Sequence, residues 1–391
     1  MSGRKLSPTG LSRREFLKAA LTGMCGVGVA GSFGCSPAGE AEGTPPAHGA
    51  RKGFVNPRRA DWFMQLGQDR LRCDLCPKGC ELAPGERGVC RVRENRAGEG
   101  FTLAYGNPAL VQEDPVERKP FYHVKPGSRA LSISTAGCNL SCQFCEVWDM
   151  ALVSPQEVFA YDMPPERVVA HAQATGVGAI SYAFGEPVAF YEYVKDAAAL
   201  AREAGLLNLM HTAGYIRAEP LRALSQHLDA VNVDLKSFQA DFYRQMVGGE
   251  LQTVLDTLKL LRDSGVHLEI TNIVIPTLND DMESIHAMCT WIVEELGADV
   301  ALHFARFYPL YRLSALPRTP VSTLDRARQT ALEAGMQFVY IAKVTGHEGE
   351  NTFCPNCGEM IIKRVGFVID EVSLEKGRCL YCNTAIPGIW S

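Results

Sequence analysis

Between Ala130 and Ala342 short β-rich runs alternate with longer helical patterns, and that rhythm constrains the fold more than any other feature. Strands are expected at Leu131–Thr135, Ala179–Phe184, Leu207–Thr212, Ala230–Leu235, His267–Ile275 and Val300–Phe307, with Phe338–Ala342 as a further run. Helical patterns lie between them at Pro165–Thr175, Val188–Ala204, Pro220–His227, Leu251–Asp263, Met282–Leu296 and Ser322–Ala334. Regular alternation implies right-handed βαβ units and a parallel sheet of buried strands. The expected fold class is therefore α/β. Six such units fit a partial TIM-like (βα)6 barrel, with an open doubly wound sheet as the alternative. In both, ligands sit at the C-terminal ends of the strands.

A chain of 391 residues also has room for appendages. A net charge of −5 gives no electrostatic footprint for nucleic acid or an anionic membrane. The cysteines are the unusual part of the composition. Of 14, 11 fall into three tight groups: Cys73/Cys76/Cys80/Cys90, Cys138/Cys142/Cys145, and Cys354/Cys357 with Cys379/Cys382. A chain this long buries a core without disulfide staples, so closely spaced thiols point to metal. The division expected is a Cys-rich N-terminal region over 52–124, a core over 125–344 and a small Cys-bearing module over 345–391. Cys25 and Cys289 stand alone, the latter as helix packing.

Ser12-Arg13-Arg14-Glu15-Phe16-Leu17-Lys18, followed by an apolar stretch from Ala19 to Phe33, matches a twin-arginine export signal over 1–35. Its glycines argue against a stable soluble helix, and the Ala/Gly/Pro/Glu-rich 36–51 reads as a linker. Cys35 is a weak lipidation site. The signal points to the periplasm or a membrane.

Cys138-x3-Cys142-x2-Cys145 directly follows the first expected core strand. Three thiolates on one short loop can hold three irons of a cubane cluster and leave the fourth open, whereas a ferredoxin cluster takes four protein ligands. A structural zinc with a distant fourth ligand is the rival reading. The spacing, with Phe144 before the third cysteine, resembles the signature of the radical S-adenosylmethionine (SAM) superfamily. That resemblance implies a [4Fe–4S] cluster on Cys138, Cys142 and Cys145. It further implies that SAM chelates the open iron and is cleaved by one electron to methionine and a 5′-deoxyadenosyl radical. Gly185 and Glu186, ending the second strand, correspond to the element that receives the SAM ammonium group. The alternative for Glu186 is an acid at a helix N-terminus with Pro187 at its first position.

Arg72–Asn95, Gly137–Asp149, Asp234–Ser237, Ile275–Asn279, Gly346–Asn351 and the C-terminal cysteines together resemble AmmeMemoRadiSam system radical SAM proteins, relatives of pyruvate formate-lyase activating enzymes. The resemblance implies hydrogen abstraction from a protein or small-molecule substrate, in the manner of a glycyl-radical activase, with an electron donor such as flavodoxin or ferredoxin. Radical modification of a small molecule or peptide with Memo-type partners is the alternative, and a non-catalytic iron–sulfur electron-transfer protein is the rival from another class. Phe184-Gly185 departs from the polar lead-in expected before Glu186. SAM chemistry also places the enzyme in the cytoplasm, against the export signal. Asp234, Lys236, His303 and Arg306 are candidates for the substrate pocket, with a buried, satisfied role equally open for His303; Met210-His211 is similarly placed.

Cys354-x2-Cys357 and Cys379-x2-Cys382 have close to zinc-ribbon spacing, with Gly358 behind the first knuckle and a β-like run at Met360–Ile369. Zinc is preferred; rubredoxin-like iron or redox-active disulfides are alternatives. For Cys73, Cys76, Cys80 and Cys90 the metal is open between zinc and an auxiliary [4Fe–4S] cluster.

Overall fold

The computed structural model describes residues 49–390. The expected signal, with Cys25 and Cys35, and almost all of the linker lie outside the described residues. The core is one eight-stranded sheet: β1 (Leu110–Pro115), β2 (Arg129–Ser134), β3 (Ala179–Tyr182), β4 (Leu207–Thr212), β5 (Ala230–Asp234), β6 (His267–Val274), β7 (Ala301–Arg306) and β8 (Val339–Ala342). Neighbours in the sheet follow chain order from β1 to β8 without reversal. A doubly wound sheet would reverse at a switch point, so the strands are wound in one direction, as in a barrel. Strands β2 to β8 are parallel, while β1 runs antiparallel against β2, and the two edges stay unjoined. The result is a partial barrel with seven parallel strands; the run at Phe338–Ala342 supplies the seventh.

Six helices connect these strands: α1 (Pro165–Thr175), α2 (Tyr191–Glu203), α3 (Ala218–Ser225), α4 (Leu251–Asp263), α5 (Met282–Glu295) and α6 (Val321–Glu333). Pro165 starts α1 where a missing N–H costs nothing. Asp281 caps α5 by accepting from Ser284 N at 2.9 Å. The helix expected over Val188–Ala204 is divided, because Pro187–Phe190 forms a 3₁₀ turn before α2 begins. Cys289 is fully buried on α5, consistent with packing.

Strand parity sorts the two faces of the sheet. Leu131, Ile133, Ile180, Val231, Ile270 and Phe304 point to the helices and join the stripe Val254, Leu258 and Leu261 of α4 in the main core. Each such side chain contributes on the order of 1.5–3 kcal/mol on full burial, so this face dominates folding. The inner face is polar. Ser132 pairs with Ser181, His211 with Asn232, Asp234 with Thr271, and His303 with both Thr271 and Tyr340.

The N-terminal ends of the strands are plugged by residues 116–124. Val116, Phe121 and Val124 pack on Ala130, Ala179, Leu209 and Ala230. Glu269 is buried beside this plug and accepts from Tyr122 N (3.0 Å) and His123 N (2.9 Å) and pairs with His303 (2.6 Å) and His267 (3.2 Å). Burial alone would raise this carboxyl. The His267 and His303 contacts override it and hold the group well below the usual carboxylate range.

Two appendages flank the barrel. The C-terminal module carries the antiparallel sheet β9 (Thr352–Phe353), β10 (Met360–Val365) and β11 (Val368–Val372), as a ribbon requires, and Gly358 sits at φ 75° behind the first knuckle. Arg364 of β10 anchors it: its guanidinium donates to Glu350 O (3.1 Å), Thr352 Oγ1 (2.7 Å) and, in the plug, Tyr122 O (2.8 Å). The N-terminal region is a wrap of short antiparallel strands held to α2 by a buried two-pronged pair, Arg93 to Glu192 at 2.8 and 3.0 Å. Among the described residues no helix is long and apolar enough to cross a membrane.

Candidate functional site

The open end of the barrel is where the strands finish, and four adjacent strand ends converge there. The loop after β2 carries Cys138, Cys142 and Cys145. It leaves the sheet through Gly137 at φ 100°, where an added Cβ would meet Val92 Cγ1 at 2.5 Å and Cys90 O at 2.7 Å. Only glycine fits that passage. Loop position is fixed further by Ser141 N donating to Val247 O (3.0 Å) and Gln143 N to Met246 O (2.9 Å). Phe144 is buried beneath the loop, 5.8 Å from the ring of Phe242 and 5.8 Å from Lys236 Nζ.

The three thiols are electrostatic neighbours. Burial pushes Cys138 well above the ordinary thiol value, and Glu186 and Cys142 add to it. Burial pushes Cys142 up to about 11, with Lys236 opposing. Such thiols become thiolates when metal binds them. Among the described residues the one set of ligand atoms gathered within 4.8 Å is Cys354, Cys357, Cys379 and Cys382. The sulfurs of the loop do not all lie within 4.8 Å of one another, whereas Zn–S bonds of about 2.3 Å bring tetrahedral sulfurs to roughly 3.8 Å of each other. Three separated sulfurs suit a cluster, in which each thiolate takes its own iron.

From the end of β3, Phe184-Gly185-Glu186 turns toward this loop. Phe184 sits at φ 70°, a conformation that costs a non-glycine residue about 1–3 kcal/mol. Its ring lies 5.4 Å from the Arg118 guanidinium and 5.7 Å from Lys119 Nζ. A Cβ on Gly185 would run into Ser134 Oγ, which instead accepts from Gly185 N at 2.9 Å. Glu186 is buried and caps the turn that follows, accepting from Val188 N at 3.1 Å. It also reaches the end of β4, accepting from Thr212 Oγ1 (2.6 Å) and Ala213 N (2.8 Å). A carboxylate has about four acceptor positions, so three donors leave one available. Burial raises the Glu186 carboxyl above its ordinary value despite these donors.

At the end of β5, Asp234 is paired on both sides: with His211 Nε2 at 2.9 Å and with Lys236 Nζ at 2.8 Å. Burial would raise Asp234, but Lys236 and then His211 hold it well below the carboxylate range. Burial would lower Lys236, but Asp234 and then Cys142 hold it above the ordinary lysine value. Asp234 therefore favours the charged form of Lys236 beside the cysteine loop.

Two further expected pocket residues lie elsewhere. His303 is fully buried near the plugged end, bonded to Glu269 and stacked 5.0 Å from Tyr340. Arg306 points to the opposite sheet face and donates to Thr319 O at 2.8 Å. Sequence reading passed over the inner-face polar residues Ser132, Ser181, Asn232 and Thr271. Their signal was present as alternation: every second residue of LSIS, VNVD and LEIT is polar.

In the C-terminal module Cys354 Sγ lies 3.5 Å from Cys382 Sγ, and Cys357 Sγ 3.8 Å from Cys379 Sγ. These spacings match the edges of a single-ion thiolate tetrahedron, so those four could hold one metal ion.

The model of the radical SAM superfamily matches residues 132–289, from β2 through the cysteine loop to α5. An uncharacterized protein of Methanocaldococcus jannaschii is 40% identical over 331 residues, covering 84% of this chain and 98% of that one. The pyruvate formate-lyase-activating enzyme of Clostridium pasteurianum is 28% identical over 172 residues, 43% of this chain and 70% of that enzyme. Among solved structures, a radical SAM methyltransferase from Sphaerobacter thermophilus aligns with a TM-score of 0.45 and 15% identity, covering 76% of this chain and 80% of its own. With that family match lying across the three-cysteine loop and its neighbouring strand ends, the chain belongs to the radical SAM superfamily.

Proposed function

We propose that the protein is a radical SAM enzyme of the glycyl-radical-activase type, abstracting hydrogen from a protein or small-molecule substrate at the open end of the barrel. The observation that carries this reading is the three-cysteine loop at the end of β2 with the Glu186 carboxylate beside Cys138. Cys138, Cys142 and Cys145 would hold the [4Fe–4S] cluster that the family implies, and three thiols on one loop after β2 suit three irons with a fourth left open. A cluster held there would supply the electron for reductive cleavage of SAM to methionine and a 5′-deoxyadenosyl radical.

The chain's own residues bind and orient. The remaining acceptor position of Glu186 suits the SAM ammonium, a cationic donor in a site screened from water. Gly185, lacking a side chain, lets the end of β2 close on this turn through Ser134 Oγ and so fixes where Glu186 stands. Lys236 balances thiolate charge beside Cys142, and the Asp234 contacts hold it and His211 in place. The inner-face polar residues offer hydrogen bonds toward the barrel axis. Cys354, Cys357, Cys379 and Cys382 would hold a structural zinc.

The similarity to pyruvate formate-lyase-activating enzymes supports the activase arm. Incubating the anaerobically reconstituted protein with SAM, reduced flavodoxin and a pyruvate formate-lyase tests it. A glycyl-radical signal in electron paramagnetic resonance is expected. Formation of 5′-deoxyadenosine without that signal would overturn the activase arm in favour of radical modification of another substrate with Memo-type partners.

A further inference from the structure

The N-terminal cysteines form a second built site on the far side of the SAM-site loop. Cys73 closes the strand Arg70–Cys73, Cys76 and Cys80 lie in the loop before Glu81–Leu82, and Cys90 lies just before the strand Arg93–Arg96. Cys73, Cys76 and Cys90 are buried and Cys80 is partly exposed. Together with Arg93 and Asn139 the four cysteines line one pocket, its other walls mostly apolar.

Two observations separate the possible occupants. The first is distance. In the C-terminal module four thiols meet at 3.5–3.8 Å, the contact that one tetrahedral ion demands. The N-terminal four do not gather within 4.8 Å, although the same fold could have drawn four loop thiols together. They line one pocket without closing on a single point, and thiolates kept apart in this way suit four different irons. The second is charge. Arg93 is fully buried at this wall, its Nε donating to Cys73 Sγ at 3.2 Å while its other nitrogens hold Glu192 and the Asp61 carbonyl. Hydrogen bonds to sulfur and buried countercharge are among the features that set a cluster's potential.

We propose that Cys73, Cys76, Cys80 and Cys90 hold a second, fully ligated [4Fe–4S] cluster. With four thiolates it presents no open iron, so it binds neither SAM nor substrate. Its position is specific. Asn139 lines this cavity while the preceding residue, Cys138, belongs to the SAM-site loop, and Gly137 packs directly on Cys90 O. The two cysteine sets are thus adjacent. This inference stands on the N-terminal site alone and does not depend on the activase reading.

The test is metal and sulfide analysis of the full chain after anaerobic reconstitution with ferrous iron and sulfide. With two clusters the wild type should carry about eight irons per chain, and Cys138→Ala/Cys142→Ala/Cys145→Ala about four. On reduction the triple variant should show a cluster signal that added SAM leaves unchanged. Replacing Cys76 and Cys80 with alanine should remove this signal while a SAM-sensitive one remains. A wild type with about four irons overturns the proposal, whether or not the triple variant folds, as does a second zinc ion per chain bound to these thiols.

Discussion

Glu186 has two possible duties, and the isosteric change Glu186→Gln separates them. In the structure its carboxylate accepts from Val188 N, Thr212 Oγ1 and Ala213 N. A glutamine amide can orient its oxygen to one side only. Facing Val188 and Thr212, its NH₂ meets the Ala213 N–H; turned round, it meets the Val188 N–H. One buried backbone donor is lost in either orientation, at a cost of about 1–3 kcal/mol. The melting temperature should fall accordingly. If the fourth acceptor position also holds the SAM ammonium, a charge-assisted hydrogen bond disappears as well. Such a bond contributes on the order of 1.5–3 kcal/mol, which is roughly a ten- to hundred-fold rise in the SAM Kd. Equilibrium dialysis of SAM against reconstituted protein reads the second effect, and thermal unfolding the first. Thr212→Val serves as the control, since it removes a donor to Glu186 but leaves the charge. A melting temperature that falls while the SAM Kd stays within about two-fold of wild type would refute the reasoning and leave Glu186 as a cap alone.

Three further outcomes follow from the geometry. Burial lowers His123 from 6.5 to about 4, so the unfolded imidazole takes up a proton between those values that the folded one refuses. Stability should therefore fall as pH drops through that window, by up to about 3 kcal/mol from this group, and His123→Gln should flatten the melting temperature against pH; an unchanged slope would count against it. Cys357→Ala should abolish zinc in the C-terminal module and lower the melting temperature while leaving the iron content intact, read by elemental analysis; retained zinc would argue against that tetrahedron. Arg364→Met removes three buried hydrogen bonds, one to the barrel plug at Tyr122 O and two within the C-terminal module, and urea unfolding should show a loss of about 3 kcal/mol, with a loss below about 1 kcal/mol contradicting the anchor.

The barrel was legible in the sequence because its parallel strands are buried and apolar on the helix side, so Leu131–Ile133, Ile180 and Val231–Val233 punctuate the helices clearly. Strand β1 was not legible. Val111-Gln112-Glu113-Asp114-Pro115 has the composition of a loop, and its pairing with β2 supplies what propensity does not. Among site residues, the cysteine loop and Glu186 could be placed because each directly follows a strand. Asp234 and Lys236 were placed for the same reason, but His211, the second partner of Asp234, was legible only as a neighbour. His303 was ambiguous because its partner, Glu269, is 34 residues away on an adjacent strand. Likewise, nothing local announces that Arg93 will meet Glu192 across 99 residues. The choice between zinc and cluster at Cys73–Cys90 is also closed to sequence, because the same Cys spacings serve both. Sulfur separation in three dimensions is the deciding quantity.

The central claim is that Cys138, Cys142 and Cys145 at the end of β2 support reductive cleavage of SAM. The direct measurement is 5′-deoxyadenosine, quantified by liquid chromatography, from anaerobically reconstituted protein with dithionite and SAM. The account predicts product from the wild-type chain and none above background from Cys142→Ala. A wild-type chain with its iron–sulfur absorption intact and no 5′-deoxyadenosine, or a Cys142→Ala chain that still produces it, would contradict the account.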